Sequence, residues 1–355
     1  MHSFGRRLCA IALIGAVAGG FVSAASGATY TTLNVAGAGT QSGQGTTAQA
    51  INLGGSVTGF YEDSGGIKHG FVWTGGKFKT FDASAGNETS PNAINDAGTI
   101  TGIWYPSGGS FAHGFVRSAG GNVTLFDGPN GATSTSAFAI NKDGLIAGDA
   151  SSNGPAYAYI RKADGRFTTV AVSGARGTIG MSINDSGMLG GHSFDQSFVA
   201  HAFIKPRSGP ATIFDVPGAG NAQPQQGTYV PRLDNAGAGA GLFVDAKNVS
   251  HGYFRTAAGA ITVFDVSKAG TGAYQGTVPT AINRAGLVTG YYIDKNGADH
   301  GFIRKPGGAF VTFNVPGAGT GNRQGSIPHG INSDGVVSGV YVDSANVNHG
   351  FVRTP

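Results

Sequence analysis

The chain has 355 residues, 63 of them glycine, with 12% charged residues, 40% hydrophobic residues and a formal net charge of +4. This excludes a disordered chain, because apolar content is high and no block of one charge occurs, and a collagen, because glycine shows no period of three. Enrichment in Gly, Thr, Val and Phe, with few Leu, Glu and Lys, excludes a mainly helical protein and predicts strands joined by tight turns.

Arg6 and Arg7 precede an apolar run from Leu8 to Val22, and Val22-Ser23-Ala24 places small residues around a cleavage site. Residues 1–24 therefore read as a signal peptide, with cleavage as late as residue 28, and the product is expected to be secreted, extracellular or periplasmic. Cys9 is the single cysteine and lies inside that segment. The exported chain is expected to carry neither disulfide nor thiolate chemistry. Removal of Arg6 and Arg7 leaves it nearly neutral, so charge gives no case for nucleic acid. No other segment is long and apolar enough to span a membrane.

Residues 29–355 read as one domain. It opens on a lone alternating strand, Tyr30 to Val35, and seven repeats follow. His-Gly-Phe or a close variant recurs at His69, His113, His201, His251, His300 and His349, with Tyr157 in the third copy. A short apolar stretch ends at Asn52, Asn95, Asn141, Asn184, Asp234, Asn283 and Asn332, with Gly three and seven residues after each. The sixth copy predicts four strands: Thr280–Asn283, Leu287–Ile293, His300–Arg304 and Phe310–Val315. Asn283-Arg284-Ala285-Gly286 fits a type I hairpin turn. Gly290, inside a strand, predicts either a bulge or the close approach of another backbone. Seven such units predict a seven-bladed β-propeller of four-stranded antiparallel blades. The last copy stops after its third strand, so the lone N-terminal strand is expected to complete it and close the ring, hiding two sheet edges.

The pattern Ala-Ile-Asn-x-x-Gly-x-x-x-Gly, then His-Gly-Phe, then Thr-Phe-Asp-Val-Pro-Gly-Ala, resembles the bacterial extracellular HAF repeat family over essentially all of residues 29–355. That resemblance implies an exported repeat protein with no established activity. The third copy departs most, with Tyr157 in place of His. Residues 29–355 show no C-terminal sorting segment, so release or periplasmic residence is expected rather than surface anchoring.

The copies differ in their connections. From the fourth-strand apolar residue to the next Asn or Asp there are 19 or 20 residues before repeats 1, 5, 6 and 7, but 14 or 15 before repeats 2, 3 and 4. The long connections carry Gln44-Gly45-Thr46, Gln226-Gly227-Thr228, Gln275-Gly276-Thr277 and Gln324-Gly325-Ser326. The same repeats place Tyr61, Phe243, Tyr292 and Tyr341 two residues before Asp63, Asp245, Asp294 and Asp343. Propeller topology puts both sets on one rim. One reading is structural: Asp pairs with the His six residues on, and Gln hydrogen-bonds a neighbouring blade. The other is a half-crown of aromatic, amide and carboxylate groups that binds a glycan or another polar polymer. Extracellular glycan or protein are the expected partners.

No nucleophile elbow, zinc-protease or phosphate-loop motif occurs. No catalytic, cofactor or metal residues are assigned, because each repeat offers one carboxylate and one His and ligands on different blades stand too far apart. His192, Asp149 and His329, each used once, read as solvated strand-end or loop positions. The expectation is a non-enzymatic binding module. The rivals are a polysaccharide-active propeller enzyme, lyase or glycosidase, and a structural matrix component.

Overall fold

A computed structural model describes residues 27–355; the expected signal peptide, residues 1–24, lies outside them. Every regular element among the described residues is a strand. The strands form successive antiparallel meanders, and those of repeat six are Gly276–Ile282, Val288–Ile293, Asp299–Arg304 and Phe310–Phe313. The first strand thus begins earlier than the pattern predicts. Gly276 already pairs with Ile293 on one side and, in parallel, with Ser250 of the preceding repeat on the other. In repeat five the first strand is interrupted, running as Gly227–Thr228 and Arg232–Leu233.

The turn predicted at Asn283–Gly286 is present, with the Gly286 N–H donating to Asn283 O. Asn283 Oδ1 also accepts the backbone N–H groups of Ala285 and Leu287, which fixes the hairpin from within. Both readings of Gly290 apply. A Cβ there would stand 2.8 Å from Pro279 Cα and 3.0 Å from the Phe302 ring, and the facing strand carries a bulge between Pro279 and Ala281. The bulge turns Thr280 away from the ladder, and the same shift recurs at Gln49, Asn92, Phe138, Met181 and His329.

The core lies between repeats rather than within them. Phe264 and Val266 of repeat five pack on Val288, Tyr292 and Phe302 of repeat six. The Arg304 guanidinium caps that cluster 4.7 Å from the Phe264 ring centre, and Arg353 does the same at 5.0 Å over Phe313. Stacking a cation on an aromatic face offsets part of the cost of burying it. At the chain ends, Thr29–Leu33 lies antiparallel on Asn348–Thr354, with Leu33 opposite Gly350.

Candidate functional site

The repeated histidines are clamped from two sides. His69 Nδ1 lies 2.8 Å from Asp82 Oδ1 and its Nε2 lies 3.4 Å from Asp63 Oδ2. Burial pulls the His69 pKa down, but the two carboxylates outweigh it and hold it above the ordinary histidine value. The Asp six residues before the His takes the same place beside His201, His251, His300 and His349, at 3.1 to 3.7 Å. His113, which has Ser107 at that position, keeps only the Nδ1 partner, Asp127, among the described residues. The Nδ1 partners Asp215, Asp265, Asn314 and Asn34 come from the Thr-Phe-Asp segment of the sequence motif. The offset of 13 or 14 residues from His to this Asp or Asn, kept in every case but His349 and Asn34, was the available signal, and sequence reasoning passed over it.

The rim aromatics stack on these histidines. Ring centres are 5.0 Å apart for Tyr61 and His69, 4.9 Å for Phe243 and His251, and 4.8 Å for both Tyr292–His300 and Tyr341–His349. Phe243, Tyr292 and Tyr341 are only 4%, 4% and 7% exposed. Their faces are therefore taken up internally. Asp63, Asp245, Asp294 and Asp343 are equally occupied, each accepting two backbone N–H groups of its own hairpin.

The glutamines are staples, but within one repeat rather than between neighbours. Gln275 Oε1 accepts the Gly272 N–H while Nε2 donates to Lys295 O, in the second-to-third-strand hairpin of the same repeat. Gln324 bonds Gly321, Ser344 and Asn346 in the same way, and the buried Gln226 bonds Ala222, Gln223, Ala246 and Asn248. Gln44 accepts the Gln41 N–H. The hydroxyl two residues after each Gln takes a further backbone donor, as when Ser326 Oγ accepts the Val315 N–H.

What the long connections do display stands just before each Gln. Gln225, Tyr274 and Arg323 all have φ between +60° and +69°, in the left-handed region where Gly43 sits in the first copy. Each donates its backbone N–H to the preceding hairpin tip, Tyr274 to Asn248 O and Arg323 to Gly297 O, so connections and hairpins share one rim. Tyr274 is 71% exposed. It separates two clefts. One, of about 530 Å³, is lined by Gln225, Tyr229, Leu242, Asn248 and Tyr274. The other, of about 400 Å³, is lined by Tyr274, Tyr291, Asp299, Asn322 and Arg323. Asp299 is buried, with no hydrogen bond to its carboxylate among the described residues, and burial pushes its pKa up to about 6. Burial likewise pushes Tyr291 up to about 12. Neither Tyr274 nor Arg323 repeats, and a search for recurring residues passes over both.

The first strands also line two cavities. The outer one is ringed by Asn52, Asn95, Asn141, Asn184, Asp234, Asn283 and Asn332. Their amides hand on from repeat to repeat: Asn52 Nδ2 donates to Asn95 O, Asn283 to Asn332 O, and Asn332 to Asn52 O. Ile51, Ile183, Leu233, Ile282 and Ile331 line both cavities and divide them. The inner chamber, about 390 Å³, is faced by Gln49, Asn92, Phe138, Met181, Arg232, Thr280 and His329. His329 is therefore on a strand, Gly325–Ile331, and not in a solvated loop. His192 is buried too, its Nδ1 unpartnered, and burial, helped by Arg232, lowers its pKa to about 4. Asp149 is half-buried and burial raises it to about 6. The sequence had read all three as solvated, because their once-only identity carried no burial pattern. Among the described residues, no group of three His, Cys, Asp or Glu side chains is placed to hold a metal ion.

No family model matches the chain, and no curated protein matches it. Among solved structures it is similar to a streptogramin B lyase, with a TM-score of 0.59 and 16% identity over 92% of this chain and 97% of that one. It is similar to virginiamycin B lyase from Staphylococcus aureus, with a TM-score of 0.58 and 15% identity over 92% of this chain and 100% of that one. A puromycin hydrolase gives 0.55 and 13% over 85% of this chain and 51% of its own. At such identities the likeness is one of fold: this chain is all-β and β-propeller-like.

Proposed function

We propose that the repeats form a closed ring of seven blades and that the ring is an exported, non-enzymatic module binding a glycan or another polar polymer. In favour of the ring are the pairing of Thr29–Leu33 with Asn348–Thr354 and the bond from Asn332 Nδ2 to Asn52 O. Export rests on residues 1–24 and on the resemblance to HAF repeats. The function rests on one observation: Tyr274, exposed and held left-handed, stands between adjacent clefts that offer a carboxyl, a guanidinium and amides. An aromatic face flanked by oriented polar groups suits a pyranose ring, and clefts repeating from blade to blade suit a repeating polymer. A non-glycine residue in the left-handed region costs of order 1 kcal/mol and persists where the surroundings hold it, commonly at binding sites.

A glycan-array screen followed by titration of the hits tests this. Tyr274→Ala and Arg323→Ala are each expected to weaken binding at least tenfold while leaving the fold intact. No glycan bound, or binding unchanged in both variants, overturns the reading. The second reading is a polysaccharide-active enzyme. The observation that favours it is Asp299, whose pKa near 6 suits a general acid or base in the same cleft. Turnover of a bound polysaccharide, abolished in Asp299→Asn, would select that reading instead.

A further inference from the structure

The inner chamber holds a charge with nothing to balance it. Arg232 replaces a small residue: the matching positions are Ala50, Ala93, Ala139, Ser182, Ala281 and Gly330. Its Nη1 donates to Met181 O at 2.9 Å, its only hydrogen bond among the described residues. Among the described residues no carboxylate lines the chamber; Asp96, Asp185 and Asp234 line the outer cavity, beyond the apolar collar. A half-buried guanidinium without a counter-charge carries a desolvation cost, and an anion that enters relieves it.

His329 faces the same space. Its Nδ1 lies 3.0 Å from Ala48 O, and a carbonyl only accepts, so Nδ1 carries the hydrogen and donates it. The neutral ring then turns Nε2, with its lone pair, to the chamber. Gln49 and Asn92 add amides, and Phe138 and Met181 form an apolar wall.

We propose that this chamber binds a small organic monocarboxylate, its carboxylate on the Arg232 guanidinium and on a His329 ring that takes up a proton as the anion enters, its apolar body against Phe138 and Met181. A guanidinium presents paired N–H donors that match the two carboxylate oxygens. In the free protein His329 is held below the ordinary histidine value, first by burial and then by Arg232. Arg232 is the one charged group facing it across the chamber, since Gln49, Asn92, Phe138, Met181 and Thr280 carry no charge. A bound anion offsets the Arg232 charge and sets a negative charge beside the ring, which raises the pKa against the effect of burial. Binding therefore takes up a proton and strengthens as pH falls, as long as the ligand stays ionised.

Calorimetric titration of the full chain with benzoate and hexanoate, against benzyl alcohol and hexanol, at pH 5.5 and pH 8, tests the assignment. The carboxylates are expected to bind and the alcohols not, with affinity at least threefold higher at pH 5.5. Arg232→Gln is expected to abolish binding. His329→Gln, which keeps a donor for Ala48 O, is expected to retain the pH 8 affinity and lose the pH dependence. No carboxylate binding at either pH, alcohols binding as well as acids, or pH dependence persisting in His329→Gln would each overturn the proposal.

Discussion

Repeats 1, 5, 6 and 7 and repeats 2, 3 and 4 share their strands and differ in how the chain enters them. Both groups use one clip: a hydroxyl near the start of the first strand accepts a backbone N–H from the incoming segment. Thr277 does this for Val266 in a long connection, and Thr89 does it for Ala83 in a short one. Repeats 2, 3 and 4 add to it single side-chain contacts with the connection, Asn87 Oδ1 accepting the Ser107 N–H, Tyr157 Oη donating to Pro129 O and Gln196 Nε2 to Gly174 O. The additional residues of the long connections build something further: a Gln staple, a left-handed Gly against the preceding third strand, and a left-handed residue at the crest. Since the fold is achieved without them on one side, their presence on the other is a feature of the rim and its clefts rather than of the strands.

The largest effect is expected at the glycine that seats the long connection. Gly276 has φ +117°, and a Cβ there would lie 2.9 Å from the Ser250 carbonyl carbon and from its backbone nitrogen. In the short connection before repeat 4, Gly177 meets nothing closer than Ala156 Cβ at 3.8 Å. Gly276→Ala should lower the unfolding free energy by roughly 3 kcal/mol, through a strained backbone and a clash with main chain. Gly177→Ala should change it by less than about 1 kcal/mol. Urea unfolding of both variants checks this, and equal losses would erase the distinction between the two kinds of connection.

A smaller and opposite effect is expected at Asp299. Its pKa, near 6 in the fold, lies above its ordinary value of 3.8. The neutral carboxyl's contribution is therefore complete below about pH 4 and is lost as pH rises through 6. In the last repeat Asn348 holds this position and donates to Gly43 O at 2.7 Å. Asp299→Asn should be more stable than the wild type at pH 7.5 by on the order of 2 kcal/mol. The two should be nearly equal at pH 4. Denaturation curves at both pH values decide it; a variant no more stable at pH 7.5 means that the carboxylate is not under strain in its cleft.

The strands, their turns and the expected pairing of the chain ends were legible because each leaves a periodic mark. Gly286, Gly290 and Asn283 recur for reasons that act in every repeat. The His–Asp pairs were legible from their six-residue spacing. The displayed groups were not. A search for recurrence finds what the fold reuses, and so it led to Tyr292 and Tyr341, which are buried against histidines. Tyr274, Arg323, Arg232 and His329 each occur once. The readable sign was a repeated position whose occupant changes: Gly43, Gln225, Tyr274 and Arg323 at the crest, and Arg232 where other repeats carry Ala, Ser or Gly.

The most direct test sets one exposed aromatic from each side against the other. Tyr274 stands on a long connection, and Phe111, 56% exposed, precedes the third strand of repeat 2. Tyr274→Gly should add about 1 kcal/mol of stability, because glycine takes the left-handed conformation freely. Titration of the wild type, Tyr274→Gly and Phe111→Gly with a glycan that the wild type binds is the deciding measurement. Affinity is expected to fall at least tenfold in Tyr274→Gly and to stay unchanged in Phe111→Gly. Equal losses in the two variants, or full affinity without Tyr274, would contradict this.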